Sequence, residues 1–75
     1  MTFEKVRDMI ASQLQLDAAT ITPESRLVED LRADSANVMV MILELETEFG
    51  LEVEDEVILN LKTVGDVVNY IDAHQ

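Results

Sequence analysis

The stretch Glu29-Asp30-Leu31-Arg32-Ala33-Asp34-Ser35 runs straight into Ala36-Asn37-Val38-Met39-Val40-Met41-Ile42-Leu43. A charged loop ends in Asp-Ser, and a strongly apolar helix begins there. Val38, Met41, Ile42, Leu45 and Phe49 recur at the spacing of a helix with one buried face. Gly50 stands where a left-handed residue stops such a helix. The spacing predicts a helix from Ser35 to Phe49, with Glu44, Glu46 and Glu48 largely outside its core stripe. The Ser35 hydroxyl then falls at a helix N-terminus, where unpaired N–H groups and the helix dipole favour an anion. A serine so placed is a good attachment point for a phosphate-linked group. Simple capping by Asp34 or Ser35 is the ordinary alternative.

Upstream, Phe3, Val6, Met9, Ile10 and Leu14 predict a helix from about residue 3 to about residue 15, with Thr2 as N-cap. Residues 16–34 form a long connection, too long for a bare loop in a compact domain. Ile21, Leu27, Val28 and Leu31 give it apolar anchors, and a short helical turn is expected near Pro23-Glu24-Ser25. Downstream, Leu51 to Val53 reads as an extended link. Asp55 to Leu61 reads as a brief helix with Val57, Ile58 and Leu61 inward. Thr63-Val64-Gly65-Asp66 resembles a capping box that opens a last helix, in which Val64, Val67, Val68 and Ile71 face inward and Tyr70 flanks them. The expected fold is all-α: a small four-helix bundle of three main helices and one short helix, with a long first loop, in a single domain over residues 1–75.

The 75 residues carry 16 acids against 5 bases, a net charge of −11. That balance repels phosphates and anionic lipid, so nucleic acid and membrane insertion are not expected. Basic protein surfaces are the natural partners. Residues 36–75 hold nine of the acids and one base. Without Cys there are no disulfides and no thiol nucleophile. The N-terminus lacks a basic start and an apolar core, and the apolar run Val38–Leu43 is far too short to span a bilayer. A monomer in the cytoplasm is expected.

Over nearly its whole length, Phe3 to Gln75, the sequence resembles the acyl carrier proteins. The matching residues are Glu29-Asp30-Leu31, Ala33-Asp34-Ser35, Glu44-Leu45-Glu46-Thr47-Glu48-Phe49 and Thr63-Val64-Gly65-Asp66-Val67-Val68-Asn69-Tyr70-Ile71. The resemblance implies a four-helix bundle with 4′-phosphopantetheine covalently on Ser35, next to Asp34. It implies a separate phosphopantetheinyl transferase, using coenzyme A and magnesium, that installs the arm. Acyl intermediates would ride on the arm's thiol as thioesters, presented to fatty-acid or related enzymes with basic patches. A specialised carrier of aminoacyl or polyketide units is a variant of the same reading. An unmodified acidic adaptor that binds basic partners through its second helix is the alternative.

Four residues depart from the family pattern. Arg32 stands where Gly is usual, Ala36 where Leu is usual, and Asn37 and Val40 where Asp and Glu are common. The patch around Ser35 thus becomes less negative by three charges, which implies either a restricted set of partners or ordinary drift. Arg32 reaches a phosphate, or pairs loosely with Asp30 or Asp34. Ala36, Met39 and Leu43 share a face outside the core stripe, and Val40 is expected to be exposed. Together Arg32, Ala36, Asn37, Met39, Val40, Leu43 and Glu46 make the expected partner surface. Phe3, Ile42, Leu45, Phe49, Leu59 and Ile71 are either walls of an acyl-sized space or ordinary core. The cluster Glu52, Glu54, Asp55 and Glu56 lacks the glycine and ligand spacing of a calcium loop, so no metal site is expected. His74, the only histidine, is not expected to act as a base for Ser35, and no catalytic constellation is present.

Overall fold

A computed structural model describes residues 2–74. Its helices are α1 (Thr2–Leu14), α2 (Ser35–Phe49), α3 (Asp55–Ile58) and α4 (Val64–Ala73). α1 packs against both α2 and α4. Val6 and Ile10 of α1, Met41, Ile42 and Leu45 of α2, and Val64, Val67 and Ile71 of α4 close the core, all nearly inaccessible to water. Phe3, Met9, Val38, Phe49, Leu61 and Val68 pack around it, half-buried. This is the four-helix, all-α bundle that the helical spacing predicts. A void of about 10 Å³ lies among the core side chains, about the volume that one water molecule needs.

The helix ends follow local chemistry. α2 runs from Ser35 to Phe49 as predicted, and Gly50 ends it at φ 64°. Gln15 does the same for α1 at φ 56°, and the Leu16 N–H closes that end on the Ala11 carbonyl at 2.9 Å. Thr2 is not an N-cap. It lies inside α1, and its hydroxyl donates to Asp72 Oδ1 at 2.7 Å, which ties the start of α1 to α4.

The long loop holds most of the differences from expectation. Its helical turn is a 3-10 turn at Ala18–Thr20, not at Pro23–Ser25, because the Asp17 carboxylate accepts from the Ala19 N–H. Pro23 and Glu24 form a tight turn instead, closed by the Ser25 N–H on the Thr22 carbonyl. Ile21, Leu27 and Leu31 anchor the loop as expected, whereas Val28 is 62% exposed. Ala33, which no periodicity marked, is buried.

Three backbone bonds stitch this loop to the start of α4. Leu27 N–H donates to the Lys62 carbonyl at 2.9 Å, Val64 N–H to Ser25 at 3.0 Å and Gly65 N–H to Pro23 at 2.8 Å. The approach is close: a side chain on Gly65 would put its Cβ 3.0 Å from the Pro23 oxygen. The Thr63–Asp66 capping box completes this end. α3 is shorter than Asp55–Leu61. It stops at Ile58, and Leu59 is 79% exposed, so Leu59 is no wall of an internal space. No described helix is long and apolar enough to cross a membrane.

Candidate functional site

Asp34 and Ser35 divide the work at the head of α2. Asp34 is extended (φ −94°, ψ −179°), and its carboxylate accepts from the Asn37 N–H at 2.8 Å. The Asn37 side-chain oxygen returns the bond, accepting from the Asp34 N–H at 3.3 Å. The cap is therefore complete without Ser35. Among the described residues the Ser35 hydroxyl makes no hydrogen bond, and the residue is exposed.

The two main helix starts after α1 differ in what they leave open. At α4, the first two N–H groups are taken by loop carbonyls and the third by the Thr63 hydroxyl. At α2, the N–H groups of Ser35 and Ala36 have no acceptor among the described residues. The first turn of α2 also carries no acid. Of these two helix starts, α2 is the one fitted to face a negative group.

The loop that delivers Ser35 is rigidly built. Arg26 N–H donates to Asp30 Oδ2 at 2.9 Å, and its guanidinium meets Asp30 at 3.4 Å and Glu29 at 2.6 Å. Those bonds, from the Arg26 backbone first and its side chain second, hold the Asp30 carboxyl below the usual carboxylate range. Leu31 and Asp30 N–H groups both close on the Arg26 carbonyl, and Ala33 N–H closes on Leu27. Arg32 takes a left-handed conformation (φ 62°) to turn the chain between the buried Leu31 and Ala33. The pairing expected of it with Asp30 or Asp34 is not made, because Arg26 already holds Asp30 and Asp34 serves the cap.

The expected partner residues fall into separate places. Ser35 and Met39 line a groove of about 700 Å³ with Val28, Val38, Ile58, Leu59 and Leu61. Val40 and Leu43 line a second groove of about 650 Å³, between α2 and the Lys5, Asp8 and Met9 side of α1. Met39, Val40 and Leu43 are 46, 40 and 58% exposed, so the loop does not bury them. Ala36 is exposed beside them. Asn37 is bound into the cap, and Glu46 accepts from the Val53 N–H at 2.8 Å, which pins the link after α2. His74 stacks on Tyr70, with ring centroids 4.0 Å apart. Among the described residues no cluster of His, Asp or Glu side chains could hold a metal ion.

Residues 4–71 match a family described as a phosphopantetheine attachment site. The chain is 51% identical to an acyl carrier protein of Clostridium acetobutylicum, over 99% of this chain and 96% of that one. The chain belongs to the acyl carrier proteins. A second acyl carrier protein, from Helicobacter hepaticus, is 46% identical over 99% of this chain and 97% of its own. The solved acyl carrier protein of Enterococcus faecalis superposes with a TM-score of 0.85 at 38% identity, covering 99% of this chain and 94% of that one. Membership brings 4′-phosphopantetheine as the carried group and does not favour the unmodified adaptor. The residues present fit an acyl carrier's needs: an exposed, unbonded serine hydroxyl beside two open N–H groups. Sequence reasoning missed Arg26 and Asp17. Both bond to groups within four positions in the chain, which the spacing of apolar residues does not report.

Proposed function

We propose that Ser35 is the attachment residue and that the chain carries acyl intermediates as thioesters. The observation that carries this reading is the division of labour at the head of α2, where Asp34 caps and leaves the Ser35 hydroxyl unbonded. Ser35 is acted upon rather than self-activated, so a separate phosphopantetheinyl transferase modifies it. When bound, the prosthetic group supplies the thiol that this Cys-free chain lacks. Asp34 and Asn37 hold the helix start, and the N–H groups of Ser35 and Ala36 favour the negative phosphodiester beside them.

Acyl-handling enzymes with basic patches meet an exposed surface of α2 that spans both grooves, Ala36 and Met39 beside Ser35 and Val40 and Leu43 toward α1, together with the exposed Arg32. Its apolar centre and reduced negative charge favour a restricted set of partners over the general fatty-acid machinery. Equal kinetics with its own enzymes and with general fatty-acid enzymes would overturn that restriction. The chain works as one unit over residues 1–75, as a monomer in the cytoplasm. Intact mass after incubation with coenzyme A and a broad-specificity phosphopantetheinyl transferase tests the attachment. One stoichiometric adduct is expected, and none on Ser35→Ala. An unmodified, folded wild type would overturn the reading.

A further inference from the structure

The groove that opens at Ser35 has an apolar floor and a set of charged residues along its sides. Arg26, Glu29, Lys62 and Asp66 all line it. Three of the four are already committed. Arg26 and Glu29 pair at 2.6 Å, and Asp66 Oδ2 accepts from the N–H groups of Lys62 and Thr63 at 3.0 and 3.1 Å. Lys62 is the exception. Its backbone is held on both sides, by Asp66 and by the Leu27 N–H on its carbonyl. Its ammonium makes no ion pair among the described residues. It is also the only base in residues 36–75, a segment with nine acids.

An uncommitted cation on a backbone held beside an apolar groove is complementary to a ligand with a methylene chain and a negative end. We propose that Lys62 selects cargo, favouring acyl chains of medium length that end in a carboxylate over those that end in a methyl group. The inference rests on the carrier reading, since the cargo reaches the groove only from a tether on Ser35, which lines it. The apolar residues Val38, Met39, Ile58 and Leu61 take the chain, and the Lys62 ammonium meets the distal carboxylate.

The test loads wild type, Lys62→Met and Lys62→Glu from octanoyl-coenzyme A and from the coenzyme A monothioester of octanedioic acid. Thioester cleavage by hydroxylamine is then followed at low ionic strength, with rates normalised to the free coenzyme A thioesters. Lys62 is exposed, so both variants should fold, which circular dichroism checks. On wild type the octanedioyl thioester is expected to be cleaved about threefold more slowly than the octanoyl one, the size of an exposed ion pair. Lys62→Met should bring the two rates together, and Lys62→Glu should reverse their order. Equal rates on wild type, or an unchanged ratio in Lys62→Met, overturn the proposal. Protection lost equally from both cargoes in Lys62→Met would assign the ammonium to the arm's phosphodiester and also overturn it. If neither coenzyme A adds mass at Ser35, the carrier reading itself falls, and this proposal with it.

Discussion

Arg32 holds a left-handed backbone that its Cβ resists. Glycine adopts that conformation without the clash, at the cost of more freedom lost on folding. The difference favours Arg32→Gly by about 0.5–1 kcal/mol, which urea unfolding would show as a higher midpoint. The turn itself was hidden in the sequence, where Arg32 stood out only as a departure from the family's usual glycine. Ser35 presents the opposite case. Its hydroxyl bonds to nothing described, so Ser35→Ala should leave stability within about 0.5 kcal/mol while abolishing modification. Asp34→Ala removes the cap and should cost about 1 kcal/mol. Asp30 links these residues to pH. Its carboxyl titrates below its ordinary value in the folded protein, so its contribution is complete at neutral pH and is lost as the pH falls through the folded value. The stability gap between wild type and Asp30→Asn should therefore narrow on acidification below about pH 4, as melts across a pH series would record.

At the scale of elements, the junction between the loop and α4 is a close backbone contact. The Gly65 N–H and the Pro23 carbonyl bond at 2.8 Å, and a Cβ on Gly65 would sit 3.0 Å from that oxygen. The oxygen is backbone and cannot swing aside. Gly65→Ala should destabilise the protein by about 1–2 kcal/mol in thermal melts, against any gain in helix propensity. This junction was illegible beforehand, because three backbone bonds across some forty residues leave no trace in side-chain spacing. α2 was legible to the residue, since Asp34-Ser35 and Gly50 punctuate a long apolar period. The loop was legible only in its anchors Ile21, Leu27 and Leu31. Val28 follows Leu27 with equal hydrophobicity, yet the turn closed by Arg26 and Asp30 points it outward. Leu59 failed similarly, because α3 ends one residue before it.

For the molecule as a whole, a net charge of −11 on a body of 27 × 25 × 19 Å means strong self-repulsion. Salt should raise the melting temperature. Potassium and magnesium chlorides at matched ionic strength should do so equally, since no described cluster is built to hold a metal ion. A specific excess for magnesium would contradict this. The stitching of the loop to α4 also bears on how the protein is made. The segment that aims Ser35 at solvent is closed by residues 62–65, about forty positions later in the chain. On a translating ribosome, Ser35 therefore emerges well before the framework that orders its approach. The loop closes only once Lys62 to Gly65 have cleared the exit tunnel, so the head of α2 gains its framework late in synthesis.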